Sequence, residues 1–383
     1  MASSNNNEII SEAKPHTIKK FELIEAYTEA WAHKLLEYGR NTGNCNGLVF
    51  IDCMSNSGVY HDINGEVVEG TPIRVARVLA EIMRERPYQQ QQAWLYFNDL
   101  SAEKIDELKK HLPADTHNFH IETSVGDGND LIKNIGSRLS FGLKINYLLV
   151  YDPYEALVDW SAIMPFFRNW GEVIINHMVS DPVRAVSQVK NPEAISKYEQ
   201  TYLAKIDELL AFGSNRTAYE ERFEQIIRAL RGNSKYRYYI ASYPFFNGKN
   251  ALVYDLIHCT TNVEGFKLYK STAWKTFGHK SSTKVSHVNP EQITFDFDEE
   301  AGEMGYTTDS DQNCYVVQDI VKFIEEKFAK QHAVPLDTIW SAVDEHPVFP
   351  SDLFKNEIKS ILKAHGCKVH RSAIDFDCME DDQ

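Results

Sequence analysis

Four aspartates close apolar, strand-like runs along this chain. They are Asp52 after Leu48-Val49-Phe50-Ile51, Asp99 after Trp94-Leu95-Tyr96-Phe97-Asn98, Asp127 in the loop beyond Phe119 to Glu122, and Asp152 after Tyr147-Leu148-Leu149-Val150-Tyr151. An ionised carboxylate is an acceptor-only group, so acids set at the ends of neighbouring strands can hold hydroxyls, an amine and a cationic centre. Like charges gathered there repel, and something of opposite sign must offset the repulsion. The fourth acid sits in the most specific context, Asp152-Pro153-Tyr154. Pro153 cannot donate to a strand ladder, so the strand ends there. An acid, a rigid turn and an aromatic face then stand together at a strand end, a combination suited to a flat, hydrogen-bonding nucleobase. After Asp52 the loop Cys53-Met54-Ser55-Asn56-Ser57-Gly58 is built of small residues, which let backbone approach a ligand.

The elements that must position these acids follow from the pattern between them. Thr17 caps a helix to about Tyr38, with Phe21, Ile24, Thr28, Trp31 and Leu35 at helical spacing; His16, Lys19 and Lys20 at its start read more simply as a solvated end. Asn64-Gly65 predicts a tight type I′ hairpin within Val59 to Val68. Thr71-Pro72 opens a helix with a buried stripe of Ile73, Ala76, Ala80 and Met83, and Ser101 caps another. Helices alternate with apolar strands as far as Glu172 to Met178, the signature of a doubly wound, mostly parallel α/β sheet. Residues 191–231 read as a helical insertion; Tyr236 to Ser242 and Leu252 to Thr260 then read as an antiparallel pair at the sheet edge.

Residues 1–13 read as a flexible tail, 14–288 as the α/β domain, 289–312 as an acidic linker and 313–383 as a winged-helix-like module of three helices, a glycine and a short extended piece. Phe266 to Lys284 holds Lys267, Lys270, Lys275, Lys280 and Lys284 with no acid, interleaved with Tyr269, Trp274 and Phe277. Ammonium groups alternating with rings can meet phosphates and bases; the competing reading is an amphipathic helix with its lysines in water.

The balance of Lys+Arg 40 against Asp+Glu 55 gives a net charge of −15, which excludes a global positive field for coating nucleic acid but not a local basic surface. The six cysteines form no C-x-x-C pair, which points away from zinc and toward a reducing compartment. A polar start without an apolar core predicts no signal peptide, and no apolar run approaches a membrane span; the expectation is a cytoplasmic protein.

The ordered set Lys14, His16-Thr17-Ile18, Tyr27, Trp31; Phe50-Ile51-Asp52, Gly58, Tyr60; Glu69-Gly70-Thr71-Pro72; Asn98-Asp99; Gly126-Asp127; Asp152-Pro153-Tyr154; and Lys267 with Ala273-Trp274-Lys275 resembles the three-Cys-motif partner proteins of bacteria. That family is similar in fold to class I S-adenosylmethionine-dependent methyltransferases, and its name implies a separate protein partner bearing a three-cysteine motif. The resemblance implies that Asp52, Ser55 and Gly58 hold the methionine end of S-adenosylmethionine, Asp99 the ribose and Asp127 the adenine amine. Asp152, Pro153 and Tyr154 resemble the Asp-Pro-Pro-Tyr element of amino-methyltransferases, with one proline fewer. Asn56 stands where a second glycine is usual, and asparagine tolerates a left-handed backbone. The leading expectation is methyl transfer to an amino nitrogen of a nucleic-acid base. The alternatives are a non-catalytic nucleic-acid- or protein-binding partner on the same fold, and, more weakly, a nuclease using the acids on Mg²⁺.

Overall fold

The structure, a computed structural model, describes residues 9–138, 144–153, 157–168, 171–284 and 314–376. Seven strands form the central sheet: β1 (Gly47–Asp52), β2 (Gln92–Asp99), β3 (Phe119–Val125), β4 (Ile145–Tyr151), β5 (Glu172–His177), β6 (Tyr239–Phe246) and β7 (Leu252–Thr260). Their order is β3-β2-β1-β4-β5-β7-β6. The first five are parallel, while β7 runs antiparallel to both β5 and β6. The chain reverses its winding between β1 and β4, and this is where a doubly wound sheet opens a crevice at the carboxyl ends of its strands.

Each face of the sheet carries its own core. Consecutive residues Phe50 and Ile51 are fully buried on opposite sides, as strand alternation requires. Phe50 packs with helices α1 (Pro15–Thr42) and α2 (Thr71–Arg84). Ile51 packs in the other core, with side chains of α4 (Gly128–Arg138) and α5 (Trp160–Arg168). Helix α3 (Ala102–Lys109) follows β2 and is capped by Ser101, whose hydroxyl accepts the Lys104 N–H. Helices α6 (Ser180–Ala185), α7 (Pro192–Tyr202), α8 (Ile206–Phe212) and α9 (Arg216–Arg231) lie between β5 and β6, so the helical insertion begins earlier than its charge pattern suggests.

Several expected details change. Helix α1 starts at Pro15, with Lys14 in the cap position; a proline at the first position needs no N–H partner, so the start moves ahead of Thr17. The hairpin forms between Val59–His61 and Val67–Glu69, but without a type I′ turn. Among its turn residues only Gly65 has a positive φ, and the Asp62 carboxylate takes the N–H groups of Asn64 and Glu66, which holds a wider loop. Strand β6 runs through Pro244, which an edge strand tolerates because no second neighbour needs its N–H.

Helix α10 (Val263–Thr276) follows β7, and the C-terminal module packs against it. The module contains α11 (Val317–Phe328), α12 (Leu336–Glu345), α13 (Lys355–Ala364) and three short antiparallel strands, Val334–Pro335, Lys368–Val369 and Ala373–Asp375, with the last in the middle. The Lys270 ammonium donates to the carbonyls of Asp344 and His346 at 2.7 and 2.8 Å, closing the end of α12. Trp274 donates its indole N–H to the Val348 carbonyl at 3.0 Å and meets Phe354 edge-on. The expected linker 289–312 lies outside the described residues. Replacing Lys270 by methionine leaves two carbonyls unsatisfied and is expected to weaken docking of the module by about 2 kcal/mol. A thermal melt of Lys270→Met should then show an earlier, separate transition from the module; an unchanged single transition would contradict this role.

Candidate active site

The loop between β1 and the hairpin is held by hydrogen bonds that leave its backbone little freedom. The Ser55 hydroxyl donates to the Asp52 carbonyl at 2.8 Å and accepts the Asn98 N–H at 3.1 Å. Asn56 adopts a left-handed backbone, φ 57°, and its N–H donates to the Asp99 carboxylate at 3.0 Å. Gly58, φ 69°, allows the turn to press against Leu108 and Ile73, where a Cβ would come within 3 Å of both. The loop therefore forms with asparagine in place of a second glycine. Ser55 and Gly58 build the loop rather than face a ligand: the serine hydroxyl is engaged and buried, and the glycine meets the core.

A cavity of about 210 Å³ opens beside this loop, bounded by Met54, Asp99, Leu100, Asp127, Tyr151 and Pro153. Asp99 closes β2; one oxygen takes the Asn56 N–H and the other the Ser101 N–H at 2.9 Å, and each retains a lone pair. Asp127 is exposed ahead of α4 and accepts the Asn129 N–H at 2.7 Å, the arrangement of a helix cap. Gly128 lets α4 start directly against the loop, since a Cβ would lie 2.4 Å from the Cys53 carbonyl oxygen. Leu100 is 75% exposed on the cavity's rim. It is a contact that sequence reasoning missed, signalled only by an apolar residue directly after a strand-end acid.

Asp52 and Asp152 do not line the cavity; they form a charge cluster beside it. Asp52 is 4% exposed, and burial pushes its carboxyl up to about 7, with repulsion from Asp152 adding to the shift and the Met54 N–H and Lys20 opposing it. Burial also raises the neighbouring Cys53 thiol, with Asp52, Asp152 and Asp127 contributing in turn, so three of the four acids act on one point. Asp152 is clamped on both oxygens, by the Lys20 ammonium at 2.5 Å and by the Asn176 side-chain amide at 2.5 Å. Lys20 is buried with its ammonium 5.2 Å from the centre of the Tyr254 ring, and Tyr254 in turn donates to the His16 carbonyl. The solvated helix end expected at Lys20 is thus overturned: the helix axis aims this side chain at the acid. Tyr154 lies outside the described residues.

The expected nucleic-acid residues separate. Lys270 and Trp274 are fully buried against the C-terminal module, and Lys267 pairs with Glu264 and Asp344, so these three do not present a free face. Lys275 is exposed and Lys280 is partly so, its ammonium donating to the Lys284 carbonyl. The helix rows that suggested a ladder of cations and rings instead dock a second module.

Sheet order and crevice define the class: a doubly wound α/β protein with a methyltransferase-like arrangement of strands. No family model and no curated protein matches the sequence. Among solved structures the chain is similar to a "putative RNA methyltransferase" from Pyrococcus horikoshii, at 12% identity and a TM-score of 0.25, over 60% of this chain and 82% of that one. No helix among the described residues is long and apolar enough to cross a membrane.

Because the folded protein keeps the Asp52 proton to about pH 7 while the unfolded chain releases it near the ordinary aspartate value, folding stability falls as pH rises through that window. At about 1.4 kcal/mol per pKa unit the penalty reaches at most about 4 kcal/mol above pH 7. Asp52→Asn keeps the acceptor for the Met54 N–H and removes the penalty. Urea denaturation should therefore show the variant more stable than wild type at pH 8, with the gap closing toward pH 4; a gap that does not change with pH would contradict the assignment.

Proposed function

We propose that this protein is an S-adenosylmethionine-dependent methyltransferase acting on an amino nitrogen of a nucleic-acid base. The observation that carries the reading is the placing of Asp99 and Asp127 on one cavity while Asp52 and Asp152 stand clustered beside it, all beyond the carboxyl ends of adjacent parallel strands. Asp99 has acceptor capacity left for ribose hydroxyls, Asp127 for an exocyclic adenine amine, and Leu100 offers an apolar face to the ring. S-adenosylmethionine supplies an electrophilic methyl group on a cationic sulfur. Asp52, neutral or charged near neutrality, is suited to answer a cation by releasing its proton. Asp152, oriented by Lys20 and Asn176, would accept a hydrogen bond from the acceptor's amine and so raise electron density on the attacking nitrogen without acting as a strong base. Pro153, the residue directly after that acid, lines the cavity, so Asp152 stands next to its wall.

The alternative, a non-catalytic nucleic-acid- or protein-binding partner on this fold, draws support from the same clamp, since Lys20 already occupies one oxygen of Asp152. The nuclease reading draws none: among the described residues no three acids, histidines or cysteines gather as a metal ion would require. A protein bearing a three-cysteine motif is the proposed partner, and the buried thiols of Cys45, Cys53 and Cys259, none in a disulfide, support a reducing, cytoplasmic setting.

Calorimetry with S-adenosylmethionine and S-adenosylhomocysteine tests the reading. Wild type should bind both, and Asp99→Ala should weaken binding at least about tenfold, about 1.4 kcal/mol. Asp152→Ala should keep cofactor affinity within a few fold yet lose transfer of tritiated methyl to total RNA and DNA from cells lacking the protein. A folded wild type that binds neither ligand would remove the enzymatic reading.

A further inference from the structure

The stretch Gln225 to Tyr254 contains no Asp or Glu in a chain of net charge −15, and within it Arg228 to Tyr239 carries four cations and three tyrosines. The fold adds a fifth cation. Helix α5 ends at Arg168 and α9 at Arg231, and Arg168 donates its Nε–H to the Leu230 carbonyl at 3.4 Å. Beyond α9 the chain turns at Gly232, φ 72°, and one hydroxyl ties the loop together. Ser234 accepts the Arg231 Nη2–H and the Tyr236 N–H, both at 3.2 Å. The Arg231 guanidinium lies 4.6 Å from the centre of the Tyr238 ring, and the Lys235 ammonium 5.1 Å from that of Tyr236.

Positive charge is left over at this point. Glu224 takes Arg228, and Glu345 takes Arg237 at 3.0 Å. Arg168, Arg231 and Lys235 have no carboxylate partner among the described residues. Arg168 and Lys235 are exposed, Arg231 is partly so, and Tyr236 is 52% exposed. A helix C-terminus favours a cation, which accounts for Arg168 and Arg231. It does not account for a lysine beside a bare tyrosine ring in the loop beyond. The patch also stands apart from the candidate site. Tyr239, the first residue of β6, pairs with Thr260, and Thr260 with Glu172, the first residue of β5. The patch therefore lies at the amino ends of the parallel strands, about 20 Å along β5 from the crevice.

We propose that Arg168, Arg231, Lys235 and Tyr236 bind a single-stranded nucleic acid, the three cations meeting its phosphates and the tyrosine ring stacking on a base. A half-exposed ring beside an ammonium offers a base its stacking face and a phosphate its counter-charge at one place. A single strand suits it because the faces of paired bases in a duplex are already stacked. The patch rests on charge and stacking alone, and it holds whether or not the crevice transfers a methyl group.

Fluorescence anisotropy with labelled RNA and DNA strands of about 20 nucleotides, in about 50 to 200 mM salt, tests the patch. Wild type should bind at least one of the strands, with log affinity falling linearly against log salt. Arg168→Gln/Arg231→Gln/Lys235→Gln should bind at least tenfold more weakly at low salt, with a salt slope smaller by about 2, at about 0.7 per phosphate lost. Tyr236→Ala should bind at least about fivefold more weakly and keep the wild-type slope, since stacking releases no counterions. Should the triple variant melt below wild type, Lys235→Gln and Tyr236→Ala, both at exposed positions, carry the test, the first lowering the slope by about 0.7 and the second leaving it unchanged. Lys109→Gln/Lys110→Gln, on α3, should bind as wild type does. No binding by wild type at low salt, wild-type binding by the patch variants, or a loss confined to the α3 variant would each overturn the proposal. So would displacement of the strand by poly-glutamate at equal charge, which would assign the patch to an acidic polypeptide. Calorimetry with S-adenosylhomocysteine keeps the two claims apart: a wild type that binds the strands but not this ligand keeps the patch and removes methyl transfer.

Discussion

The ion pair between Lys20 and Asp152 is the contact on which the arrangement of the site depends. Asp52, Asp99 and Asp152 approach one another beyond adjacent strands, and Asp52 is already held near the limit at which a buried carboxyl ionises at neutral pH. A cation placed among them by the fold lowers that repulsion, and its partial burial makes each charge act more strongly than in water. Lys20 reaches this point because helix α1 crosses the sheet. Two turns further along, about 10 Å, Tyr27 donates to Glu172, the first residue of β5, beside the His258 ring nitrogen that meets the same carboxylate at 2.6 Å. One helix is thus pinned to acids at both ends of the parallel strands. Breaking the first contact leaves the buried Lys20 ammonium without its counter-charge.

The loop after β1 shows how backbone conformation sets chemistry. Its left-handed residue is an asparagine, and the N–H thereby turned inward is one of the two that orient Asp99. Close approach of α4 to the same loop requires Gly128, where any side chain would strike the Cys53 carbonyl. The cavity is bordered by Asp99 and Asp127 and by the side chains of Met54, Tyr151 and Pro153, with Leu100 as its exposed apolar wall.

Lysines and aromatic rings in α10 illustrate how one composition serves two ends. Lys270 satisfies the last carbonyls of α12, and Trp274 bonds the Val348 carbonyl, so residues resembling a nucleic-acid surface are the joint between the sheet and the C-terminal module. Burial presses the Lys270 ammonium down to about 7, the consequence of placing a cation between two packed helices. Lys275 stays exposed on the last turn of that helix, and Lys280, just past its end, is partly exposed.

The alternation of apolar runs with capped helices determined the doubly wound sheet by itself, because burial on both faces dictates unbroken Val, Ile, Leu and Phe strands such as Leu48 to Ile51 and Leu148 to Val150. It determined equally that an acid would stand at the end of each of the first four strands or in the loop just past it, and that asparagine could replace glycine in the first loop. Strand order was not written there, since parallel neighbours are joined through helices and carry no local signal of which partner they choose. Nor could spacing tell that Lys20, so far from Asp152 along the chain, would leave solvent to pair with it, or that Lys270 would be buried while Lys249 and Lys275 stayed exposed. Those outcomes depend on which surfaces meet, and a charge is placed by the low-dielectric neighbours and counter-charges that only the assembled fold supplies.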